Sequence, residues 1–159
     1  MKLLLVLALV SCLSGCSHAG LAQENDYTNK DKITSAYNQY NYQLRDGTIT
    51  ETEADFTFDF TGTDRLWTIT AQEDTEIKCL YEAQITDGKF KMVLITPEKN
   101  ISSVLEGSSA ATVILKLHEG ENVVKIVGYQ AKGSIDIAFP NERNGVQLAP
   151  NKREGFPWD

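Results

Sequence analysis

Side chains able to do covalent chemistry are scarce among the 159 residues of this chain. Its two histidines, His18 and His118, lie far apart, each without the converging His, Cys or carboxylate partners that a metal ion needs. A Cys–His nucleophile would have to join Cys79 to His118. Cys79, however, falls on the apolar side of a predicted strand, where a thiol stays protonated and inert. His118, beside Glu119-Gly120, reads as a solvated turn residue. No catalytic residue, metal site or cofactor is therefore assigned. Glu51, Glu53, Asp55 and Asp59 would share one face of an extended strand. Such oxygens suit Ca²⁺, and two of them flanking a glycosidic bond would make a hydrolase. No calcium-loop spacing accompanies them, and a charged strand face ordinarily keeps a sheet soluble. Tyr27, Tyr37, Tyr40 and Tyr42 form the densest aromatic cluster. Large, stiff, amphipathic rings stack on sugars or on a partner surface, which makes Tyr37, Tyr40 and Tyr42 the candidate ligand-binding residues. Lys89, Lys91, Lys125 and Lys132 read as solvated strand and turn charges. With 22 acidic against 15 basic side chains, a net charge of −7 and a pI near 4.8, the chain lacks the clustered cations that a nucleic-acid backbone requires.

One cysteine stands in a more specific setting. Lys2 is followed by the unbroken apolar run Leu3 to Val10, the layout of a secretory signal. Even counted to Leu13, the run is shorter than the ~20 residues a spanning helix needs. It ends in Leu13-Ser14-Gly15-Cys16, a tetrad that resembles the lipobox of bacterial lipoproteins. The resemblance implies that residues 1–15 are a lipoprotein signal peptide and that Cys16 is the site of lipid attachment and the first residue of the mature chain. The competing assignment is an ordinary signal peptide cut after Ala19 or Ala22. Two or three acyl chains make a firm anchor, at ~0.8 kcal/mol per buried methylene. The protein is thus expected to be exported and lipid-anchored, on the outer face of the cell membrane or on an outer membrane. Cys12 leaves with the signal and Cys16 carries lipid, so Cys79 has no partner for an intrachain disulfide.

Elements follow from periodicity. Residues 16–37, polar after the cysteine, read as lipid anchor and flexible tether. Ile33, Tyr37, Tyr40 and Leu44 recur at roughly helical spacing, while Tyr40, Tyr42 and Leu44 alternate. Helix and strand both remain open for 30–45, with a strand favoured over 38–45, ending at an Asp46-Gly47 hairpin turn. Phe56, Phe58 and Phe60 alternate with polar residues as in a half-buried strand, and Trp67 and Ile69 are expected in the core of the next. A second hairpin is predicted at Asp87-Gly88. It would set Ile85 opposite Phe90, Ala83 opposite Met92, Tyr81 opposite Leu94 and Cys79 opposite Thr96, almost all apolar and on one face. Further strands are predicted at 101–105, 112–117, 123–127 and 134–139. These make about nine short strands in a domain over 38–139, followed by a mostly disordered tail at 140–159. Such spacing is that of an all-β, antiparallel β-sandwich of immunoglobulin-like or jelly-roll size.

Thr61-Gly62-Thr63, Leu66-Trp67, Asp87-Gly88-Lys89-Phe90-Lys91, Val93-Leu94-Ile95-Thr96-Pro97, Ile126-Val127-Gly128 and Ala131-Lys132-Gly133 give the stretch 62–133 its character. In these residues the chain resembles small uncharacterised lipoproteins of Gram-positive bacteria. That resemblance implies a cell-surface β-sandwich on a lipid anchor and brings no activity with it. The resulting expectation is a non-enzymatic, lipid-anchored envelope module that binds another envelope component, protein or glycan. Its partners would be membrane lipid through acylated Cys16 and that envelope component, with no nucleic acid. Two alternatives use the same chain: a small envelope glycan hydrolase with paired carboxylates, or an inactive subunit of a membrane complex.

Overall fold

The structure, a computed structural model, describes residues 26–140 and 145–151. The signal, Cys16 and His18 lie outside the described residues. A short helix, α1 (Lys30–Thr34), precedes seven strands among the described residues. These are β1 (Gln39–Ile49), β2 (Glu53–Ala71), β3 (Thr75–Ile95), β4 (Ile101–Glu106), β5 (Ser109–Leu117), β6 (Gly120–Ala138) and β7 (Val146–Pro150). All pairings are antiparallel in the order β1-β2-β6-β3-β4, with β5 added to β3 and β7 to β2. The fold is an all-β antiparallel sandwich, as expected from the alternation.

Three strands are far longer than the sequence suggests. β2, β3 and β6 run 19, 21 and 19 residues, and each contributes to both layers. The first half of β6 pairs with the second halves of β2 and β3, and its second half with their first halves. Between the layers lies one core, in which Phe56, Phe58, Phe60, Trp67, Ile69 and Ile126 are almost wholly buried. Full burial of side chains this large contributes ~1.5–3 kcal/mol each.

The predicted hairpin at Asp87-Gly88 does not form. β3 continues through it, so Cys79 lies opposite Val113, Ala83 opposite Ser109 and Ile135, and Met92 opposite Leu105 and Ile126. Gly88 has φ +72°, and a Cβ there would sit 2.1 Å from the carbonyl oxygen of Gln130. The glycine admits the neighbouring backbone instead of reversing the chain. Asp46-Gly47 likewise lies within β1. The reversal comes later, where the Thr50 N–H donates to the Glu53 carbonyl at 2.7 Å. Nine expected strands thus become seven: three pairs merge, and β7 is added.

Two segments expected to be loose are partly built into the fold. Tyr27 and Ile33 are buried against Val93, Ile95 and Val127 on the outer face of one layer. At the start of α1, the Asn29 side chain accepts from the Lys32 N–H. Residues 26–38 are therefore a strap laid on the sheet; mean polarity hides the two apolar side chains that hold it. In the expected tail, Val146–Pro150 pairs with β2 and buries Leu148. No helix of the described residues is long and apolar enough to cross a membrane.

Candidate functional site

The layers join at a bend where three strands change register together. Thr61 of β2 faces two residues of β6, Tyr129 and Gln130, because the pairing steps from Phe60–Ala131 to Gly62–Gly128. This β-bulge puts Gln130 in the left-handed region, at φ +50°. Its N–H donates to Oγ1 of Thr61 at 2.9 Å. Gly62 lies beside the bulge with φ +121°, and a Cβ there would sit 2.0 Å from the Gln39 carbonyl oxygen. β1 can therefore approach β2 closely only because residue 62 has no side chain.

Around the bend opens a cleft of about 610 Å³. Four residues of its lining carry side-chain amides: Gln39, Asn41 and Gln43 from β1 and Gln130 from β6. Asp59, Lys132 and Asp87 occupy one cross-strand row on β2, β6 and β3. Lys132 Nζ stands 3.1 Å from an Asp59 carboxylate oxygen, and the other acid, Asp87, accepts from the Gly88 N–H at 2.8 Å. Asp26 of the strap completes the rim, paired with Lys32 at 2.6 Å. An amide presents a donor and an acceptor in one plane, so this lining can engage a ligand rich in hydroxyl groups.

The tyrosines are distributed unequally. Tyr40 is half-buried and lines the cleft. Its ring meets Tyr42 edge-on at 5.1 Å, and Tyr42 stacks on Phe60 at 5.0 Å. Tyr42 points into the sandwich, where its hydroxyl donates to the buried Asp64 carboxylate at 2.7 Å. Tyr37 is 78% exposed and does not line the cleft. Of the acidic run, Asp59 reaches the cleft, while Glu51, Glu53 and Asp55 are exposed and do not line it. Among the described residues no group of three or more His, Cys, Asp or Glu is gathered to hold a metal ion. Cys79 is fully buried, and burial pushes its thiol up to about 12. His118 is half-exposed and 3.8 Å from Asp74.

Charge is also buried beneath the strap. Lys125, 1% exposed, donates from Nζ to the Ser35 carbonyl at 2.6 Å. Burial, with the Arg65 guanidinium adding to it and Asp64 opposing, lowers its ammonium to about 8. Arg65 donates to the Ala36 carbonyl, and its N–H to the Asn38 side chain at 3.0 Å. Tyr27 donates to Glu106 at 3.1 Å, with Lys91 Nζ 4.3 Å from its ring centre.

No protein-family model matches the chain, and no curated protein matches it. Among solved structures it is similar to a family 35 carbohydrate binding module from an environmental isolate. The identity is 13% and the TM-score 0.36, over 74% of this chain and 85% of that one. It is also similar to Xyl-CBM35 in complex with a glucuronic acid containing disaccharide, at 13% identity and TM-score 0.38 over 70% and 93%. CBM35 from Cellvibrio japonicus Abf62 gives 13% and 0.39, over 70% and 92%.

Proposed function

We propose that the protein is an exported, lipid-anchored module that works by binding an envelope glycan in the cleft at the bend. The observation that carries this reading is the convergence of four side-chain amides, Gln39, Asn41, Gln43 and Gln130, on one cleft of about 610 Å³. That size falls in the ~300–1,000 Å³ range of ligand sites, while the lining is polar where a drug-like site would be apolar. Amides pair with vicinal hydroxyls as both donor and acceptor, while the Tyr40 ring packs on the opposite face of β1, toward the core. Asp59, held by Lys132, is suited to accept hydrogen bonds, and the role assigned to the cleft is binding without turnover.

The test is equilibrium binding of the full chain to solubilised envelope polysaccharides. Asn41→Ala and Gln43→Ala should each weaken binding ~10-fold, the cost of one hydrogen bond of ~1–1.5 kcal/mol. Wild-type affinity in both variants, or no binding of any fraction by the wild type, would defeat the proposal. The anchor is supported by the tetrad ending in Cys16 and has its own test. Cys16→Ser should change the amino-terminal mass by the loss of the lipid; membrane retention with an unchanged amino-terminal mass would remove the anchor from the account.

A further inference from the structure

Edges of a sheet are normally protected, and among the described residues three of four are. β1 is broken by a register shift between Tyr42 and Leu44. β4 has six residues and a register shift, and β7 has five and ends at Pro150. β5 is different. Its nine residues pair with β3 in unbroken register, from Thr75–Leu117 to Ala83–Ser109. Among the described residues it pairs with no other strand. It contains no proline, and Lys116 is its one charged residue. Such an edge is a template for strand addition.

What would add to it is indicated by the charge beside it. Asp55, Asp136 and Glu82 stand directly opposite one another on β2, β6 and β3, all exposed. Like charges in that arrangement destabilise a sheet. Their row ends at Ala110 on β5, opposite Glu82, where the side chain is too short to answer the charge. We propose that β5 pairs antiparallel with β5 of a second copy, about a two-fold axis at Val113. A two-fold contact is self-complementary, and this one sets Ala110 opposite Lys116 of the second copy, and Thr112 opposite Ile114. The lysine stem passes over the alanine toward Glu82, extending the acidic row with a cation, and symmetry makes this happen twice. The same register brings Ile114, 52% exposed, beside Thr112 of the second copy, whose own neighbour on β3 is Leu80, 38% exposed. On the inner face Ala111 meets Leu115 of the second copy, and the core continues across the axis.

Sedimentation equilibrium of the full chain over a wide concentration range tests the pairing. The wild type should form a dimer. Ile114→Lys, at an exposed position, should weaken it ~10-fold or more, as should Lys116→Glu, since each change acts twice across the axis. Adding Glu82→Lys to Lys116→Glu should restore the dimer, a rescue that a folding defect would not show. A wild type monomeric throughout, as expected if β5 receives a strand of another protein, overturns the proposal. So does a dimer indifferent to both substitutions, or one that the charge swap fails to restore.

Discussion

An ammonium withdrawn from water needs compensation, and Lys125 obtains it from the Ser35 carbonyl of the strap, with Asp64 as the nearest opposing charge. Its pKa falls from 10.5 to about 8 on folding, so between these values only the unfolded chain holds the proton. Stability therefore rises with pH across that window and the rise ends above it. Cys79 acts in the opposite sense: its thiol rises from 9.0 to about 12, so stability is lost as pH rises from 9.0 toward about 12. Comparing wild type with Lys125→Met isolates the lysine. Denaturant unfolding at pH about 7 and about 10 should show the gap between the two proteins shifting in favour of the wild type at the higher pH. An unchanged gap would mean that Lys125 keeps its ordinary proton affinity in the folded protein.

At the scale of elements, the strap shows how little apolar surface is needed to order a polar segment. Tyr27 and Ile33 dock on a strip left by Val93, Ile95 and Val127, and Lys125 and Arg65 bind the carbonyls of Ser35 and Ala36. Ile33→Asp should cost ~2–4 kcal/mol. Hydrogen exchange should become fast over 26–38 while β6 stays protected; slow exchange at the strap would show that its polar bonds suffice. Two apolar residues in a polar stretch give no periodic signal, which is why this segment reads as tether. Within strands, faces were legible and partners were not. Phe56, Phe58 and Phe60 face the core as their alternation predicts, and so do Cys79, Ala83, Phe90, Met92 and Leu94. Their partners lie on β4, β5 and β6, because Asp-Gly marks close backbone approach inside a strand as readily as a turn. The candidate site has the same history. Gln39, Asn41 and Gln43 alternate with the tyrosines of β1, a signal present in the sequence. Their meeting with Gln130 and Asp59 depends on a bulge formed between distant strands, and no local pattern carries it.

For the whole molecule, long strands are shared by both layers, and the cleft lies at the bend where they pass from one layer to the other. In the layer ordered β1, β2, β6, β3 and β5, the cleft-lining β1 and the pairing edge β5 are at opposite ends. Edge pairing therefore leaves both clefts open, pointing away from the shared axis, and two weak glycan contacts would act together through effective concentration. The most direct test of the proposed binding of glycan in the cleft is an amide NMR titration of the full chain with solubilised envelope glycan. Shifts should centre on Gln39, Asn41, Gln43, Asp59, Gln130 and Lys132. Shifts centred on β5 or the strap, or a spectrum that does not move, would contradict the account.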